Sequence, residues 1–102
     1  MELNSEDLEA IERIAACAYS PREVAFALGL KLSEFIEIVK DEGSNASIAY
    51  YKGFYSSELA IRESILLLAR NGSSPAQTMA NKLFDENRRN LNKAGFTFGD
   101  DI

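Results

Sequence analysis

Apolar residues recur along this chain at three- and four-residue spacing, and the pattern predicts five helices and no strand. The first carries Leu8, Ile11, Ile14, Ala15 and Ala18, starts after Asn4 or Ser5, and has Glu6 and Asp7 in the turn where carboxylates suit the helix dipole. The second opens on Ser20-Pro21-Arg22-Glu23, a capping box with proline at the first helical position, and stops at Gly29. The third runs from about Ser33 to Lys40, and Asp41-Glu42-Gly43-Ser44-Asn45 reads as a polar linker. The fourth runs from about Ala46 to Arg70, with Asn71-Gly72 as its stop. A second capping box, Ser74-Pro75-Ala76-Gln77, opens the fifth, which continues to about Asn92 and ends at Ala94-Gly95. Residues 96–102 show no partner pattern and read as a mobile tail or one that docks elsewhere.

The fourth helix is apolar over about half its circumference, more than packing on one layer requires. Tyr50, Phe54, Ile61, Ile65 and Leu68 form one stripe; Ile48, Tyr51, Tyr55, Leu59, Leu66 and Ala69 form another beside it. The fifth offers one narrower stripe, Ala76, Met79, Ala80, Leu83, Phe84 and Leu91. The short connection between them folds the fifth helix back antiparallel on the fourth, which covers one stripe. The other is covered either by helices one to three or by a second copy of the chain. Tyr51, Tyr55, Leu59 and Leu66 are the residues that self-association would use.

The run from Pro21 to Ile38 has the spacing of a helix-turn-helix. Ala25 lets two helices approach closely, and Gly29 can take the positive φ of a tight turn. Val24 and Leu28 share the face of Ala25, Leu30 plugs the turn, and Phe35, Ile38 and Val39 line the inner side of the next helix. A plain helical hairpin with a glycine stop fits the same spacing. As a DNA reader, the unit would present Arg22, Lys31, Ser33 and Lys40 to phosphate. Glu34 and Glu37 would repel it, and the outward positions of the third helix offer no Arg, Asn or Gln for bidentate base readout. The fold is therefore expected to be all-α. A three-helix unit containing the helix-turn-helix spans 1–44, a helical hairpin for oligomerisation spans 45–93, and a flexible tail spans 94–102.

Charge complicates the DNA reading. Of the net −5, residues 1–44 carry ten acidic and four basic side chains, or −6, and residues 45–102 carry six and seven, or +1. Phosphate binding draws on Lys and Arg, so the motif sits in the wrong half for simple DNA binding. Basic side chains could instead come from Arg13, or from Lys82, Arg88, Arg89 and Lys93 on the fifth helix, where ordinary solvated charge is the plainer explanation.

With 102 residues, 46 % of them hydrophobic, the chain supports one small core, and oligomerisation is a natural supplement. It contains no His, no Trp and one Cys, which leaves little for nucleophilic or metal chemistry; the expectation is a non-enzyme without cofactor. Cys17, in Ala15-Ala16-Cys17-Ala18, reads as a buried, inert thiol. A single cysteine and no apolar run of membrane-spanning length lead to the expectation of a soluble protein of a reducing cytoplasm with no membrane partner.

Two ordered stretches resemble phage terminase small subunits, the DNA-recognition components of viral packaging motors. Ala18-Tyr19-Ser20-Pro21-Arg22-Glu23-Val24-Ala25 through Gly29-Leu30 is similar to the opening of the helix-turn-helix in such proteins. Tyr51-Lys52-Gly53, Glu58 to Arg62 and Leu68 to Gln77 are similar to the helical pattern that follows it. The resemblance spans residues 8–92. It implies a DNA reader at 20–40 and an assembly hairpin at 46–92 that builds rings. It also implies double-stranded DNA, copies of the chain and the large motor subunit as partners, in the host cytoplasm if the chain is phage-encoded. A phage or prophage transcriptional regulator binding as a dimer, and a protein-interaction adaptor, are the alternatives.

Overall fold

In the computed structural model, which describes residues 1–96, the chain is all-helical. The elements are α1 (Ser5–Ala15), α2 (Pro21–Leu28), α3 (Leu32–Lys40), α4 (Asn45–Arg70) and α5 (Ser74–Lys93), with no strand among the described residues. The tail expected at 94–102 lies outside them from residue 97 onward. Two compact units divide the chain inside α4, one ending at Ala60 and one beginning at Ile61. The first half of α4 thus packs with α1–α3, where the sequence pattern had set a boundary at residue 44.

The first unit is built on Ile11, Ala15, Val24, Ala25, Phe35, Val39, Ala46 and Tyr50, all buried, with Leu28, Leu30, Ile38 and Phe54 packed against them. Of the two readings for α4, cover by the preceding helices therefore holds for Tyr50 and Phe54. Local chemistry fixes where each helix begins. Asn4 and Asp7 cap α1 reciprocally: the Asp7 N–H donates to Asn4 Oδ1 at 2.8 Å and the Asn4 N–H to Asp7 Oδ2 at 3.0 Å. Ser20 and Glu23 do the same for α2, with the Ser20 N–H 2.9 Å from Glu23 Oε1 and the Glu23 N–H 3.3 Å from Ser20 Oγ. The Ser44 hydroxyl caps α4 by accepting from the Ser47 N–H at 3.1 Å, while donating to the Ile38 carbonyl at 2.7 Å.

Two glycines have specific tasks. Gly29 ends α2 in the left-handed region, at φ 68° and ψ 28°, and the Leu30 N–H closes the turn on the Ala25 carbonyl at 2.9 Å. Gly53 lies buried in mid-helix, where α4 crosses the backbone of α1 at Glu12.

The loop between α1 and α2 corrects one expectation. α1 ends at Ala15, Ala18 takes φ 68°, and Cys17 is exposed instead of buried. Left-handed alanine costs roughly 1–2 kcal/mol. The loop is held by the Tyr50 hydroxyl, which donates to the Tyr19 carbonyl at 2.7 Å.

In the second unit Ala76 and Ala80 of α5 are buried, and Ile65, Leu66, Ala69 and Leu83 are half-buried. The expected Ser74 capping box does not form. Ser73 is the cap, its Oγ accepting from the Ala76 N–H at 3.4 Å, and the Gln77 amide instead donates to the Ala69 carbonyl at 3.1 Å. Proline at the second helical position, rather than the first, allows this register.

Candidate nucleic-acid interface

Over residues 20–40 two short helices, α2 and α3, are joined by a turn through left-handed Gly29. α2 and α3 pack through Val24, Ala25, Phe35 and Val39, and the outward side of α3 carries Ser33, Glu37 and Lys40, within about 60° of one another on the helix. Glu37 thus shares the face that would meet a groove with Ser33 and Lys40. Its carboxylate lies 3.6 Å from Lys40 Nζ. Lys31 sits at the N-cap of α3 without capping it, and its ammonium lies 3.8 Å from Glu34 Oε1. Each lysine of the module faces a carboxylate from its own helix. These pairs are well exposed, so they hold the side chains weakly, but they neutralise the charge a phosphate would seek.

Arg22 stands in the first turn of α2 with its guanidinium carbon 5.2 Å from the centre of the Phe26 ring. Phe26 is 63 % exposed, a large apolar side chain on the outer side of α2. The helical spacing of Arg22 and Phe26, four residues apart, was the only sequence signal for this cation–π pair.

The residues expected to drive assembly divide between the two units. In the first, Ile48, Tyr51, Tyr55 and Leu59 follow one line along α4 and are all between 44 % and 59 % exposed. Tyr51 and Tyr55 stack with ring centres 6.1 Å apart, and each meets a buried or half-buried neighbour edge-on, Tyr50 at 5.1 Å and Phe54 at 5.3 Å. The aromatic rings of the exposed line are therefore backed by the core. Leu66 belongs to the second unit and is half-buried there. Ile48 and Tyr51 also line an open depression with Val39, Lys40, Glu42 and Ser47, where the end of α3 meets the start of α4.

Among the described residues no three His, Cys, Asp or Glu side chains converge as a metal site would require. No helix among them is long and apolar enough to cross a membrane. Comparison with protein-family models, with curated proteins and with solved structures gives no match.

Proposed function

We propose that the chain is a non-enzymatic DNA-recognition and assembly protein of the terminase small-subunit kind, which positions duplex DNA through an oligomer. The observation that carries this reading is the α2–Gly29–α3 unit, whose left-handed glycine and small Ala25 give a reader helix with a free outer side. The exposed Ile48–Tyr51–Tyr55–Leu59 line supports the assembly half. Arg22, Lys31, Ser33 and Lys40 would touch phosphate, and copies of the chain joined through Tyr51, Tyr55 and Leu59 would multiply a weak contact into useful avidity. The large subunit of a packaging motor and a host cytoplasm belong to the same reading.

Light scattering over a range of concentrations, with and without a 30-bp duplex (length chosen as about three helical turns), tests it. A closed oligomer that binds the duplex at low salt is expected. A monomer at every concentration removes the assembly half, and an oligomer that ignores the duplex at low salt removes the DNA half.

A second reading is favoured by one observation. Glu37 is exposed on the same outer side of α3 as Ser33 and Lys40, which suits a basic protein partner better than a phosphate backbone. The chain would then be an adaptor that uses the helix-turn-helix shape to dock on protein.

A further inference from the structure

The acidic module leaves a duplex with few cations to bind, and the structure offers others on α5. At helical spacing Lys82, Arg89 and Lys93 fall within about 40° of one another, on the side of α5 opposite buried Ala76 and Ala80. They form a line of about 16 Å, with steps of about 10 Å and 6 Å. That line covers about five base pairs at the rise of one strand. All three are exposed, and none has a carboxylate partner among the described residues. The nearby acids are Asp85, which is engaged by Arg88 at 3.0 Å, and Glu86. With four basic and two acidic side chains, α5 carries +2 in a chain of net −5. The contrast with α3 is one of pairing: there both lysines lie within 4 Å of glutamates of their own module, while here Glu86, between Lys82 and Arg89 on the same side of the helix, is within ion-pair distance of neither.

We propose that this outer line of α5, Lys82, Arg89 and Lys93, is a contact surface for the phosphates of duplex DNA. It rests on the reading of the chain as a duplex-binding protein and relocates the electrostatic part of that binding. α5 would then supply the counterion-releasing contacts that dominate affinity. Charge complementarity favours a polyanion over any other occupant of this face. Its cations form one line along α5 with no aromatic side chain among them, which favours a regular duplex over unstacked single strands.

The test is a titration of the intact chain against a 30-bp duplex between 50 and 200 mM salt, with lengths and salts chosen so that contacts are countable. Three variants accompany the wild type. One combines Lys82→Gln, Arg89→Gln and Lys93→Gln; one combines Lys82→Arg and Lys93→Arg, which preserves charge; and one is Lys31→Gln. Circular dichroism confirms that each is as helical as the wild type. Three lost phosphate contacts should flatten the salt slope by about 2.7 per bound subunit, so wild-type affinity should fall about 40-fold more than that of the triple variant over this range. The arginine variant should keep the wild-type slope, and Lys31→Gln should lower it by at most about 1. If the triple variant keeps the slope while the wild type binds, the α5 line is solvated charge and this inference is overturned, with the DNA reading left to α2 and α3. If the wild type binds no duplex at 50 mM salt, both fall. Binding of an RNA hairpin, lost in the triple variant, without duplex binding also overturns it.

Discussion

Gly53 of α4 lies against the main chain of Glu12 in α1: a Cβ built on it would overlap the Glu12 carbonyl oxygen outright and stand 2.8 Å from the carbonyl carbon. Backbone meets backbone there, and only hydrogen fits. Just beside this crossing, Lys52 Nζ reaches Glu12 Oε1 at 3.4 Å.

Gly53→Ala should therefore destabilise the first unit, although alanine favours helices by about 1 kcal/mol. Overpacking of this kind costs about 1–3 kcal/mol, and the neighbour here is backbone that cannot swing away. Lys52→Met should change stability by less than about 1 kcal/mol, because the ion pair is exposed. Urea midpoints of the two variants decide the point; an unchanged midpoint for Gly53→Ala means the helices do not cross here.

Capping gives a sharper positional test. Ser20→Ala and Ser73→Ala should each cost on the order of 1 kcal/mol, and Ser74→Ala less than about 0.5 kcal/mol, since the Ser73 hydroxyl receives the Ala76 N–H. Thermal melts with Ser74→Ala more harmful than Ser73→Ala would place the cap one residue later.

Glu23 links the first of these caps to pH. The backbone N–H of Ser20, and then its hydroxyl, hold the Glu23 carboxyl below the ordinary glutamate value of 4.5. A lowered folded-state pKa stabilises the fold above the unfolded value, and that stability is lost as pH falls through the folded value. Wild type should lose stability between neutral pH and the acid side of 4.5, and Glu23→Gln should lose less over the same interval. Equal losses in urea titrations at pH 7 and below pH 4.5 would show that the carboxylate does not bond to Ser20.

The exposed line on α4 should govern assembly without governing the fold. Tyr55→Asp and Leu59→Asp, at 59 % and 58 % exposure, remove side chains worth about 1.5–3 kcal/mol each when covered by a partner. Each variant should keep its helix content and melting temperature as a monomer but dissociate on dilution earlier than wild type. A mass by light scattering identical to wild type at all concentrations would take these residues out of any interface.

On α3, Glu37→Lys should strengthen duplex binding without adding sequence preference, because it removes repulsion and frees Lys40 from its 3.6 Å partner. Lys31→Glu should weaken it. Gel-shift titration at low salt reads both; identical shifts for wild type and the two variants would exclude α3 from contact.

The helices were legible in the sequence because their ends carry strong local chemistry: Ser20 with Glu23, Gly29, and Asn71-Gly72 each leave the chain little choice. The cap of α5 slipped by one because Ser73 and Ser74 are chemically equal and Pro75 is tolerated at either of two positions. Cys17 was misjudged because a run of small residues resembles a packed helix face, and nothing local shows that Ala18 turns left-handed. Gly53 did carry a signal, since glycine inside a long helix is costly unless backbone comes close. Which half of α4 packs on α1–α3 was not legible, because both of its apolar stripes have the same period and Ala46 and Tyr50 find their core partners, such as Ile11 and Val24, far away in sequence. At the candidate interface, the residue types were readable. The pairing of Lys31 with Glu34 and Lys40 with Glu37 depends on side-chain placement that spacing only permits.

The Ser44 hydroxyl spends its proton on the Ile38 carbonyl and its lone pair on the Ser47 N–H. One oxygen atom thereby rivets the last turn of α3 to the first turn of α4, leaving the linker little slack. A torque applied to the outer side of α3 is then delivered to the helix that bears Tyr51 and Tyr55. Docking on α3 and association through α4, if the chain does both, would share a single lever with Ser44 as its fulcrum.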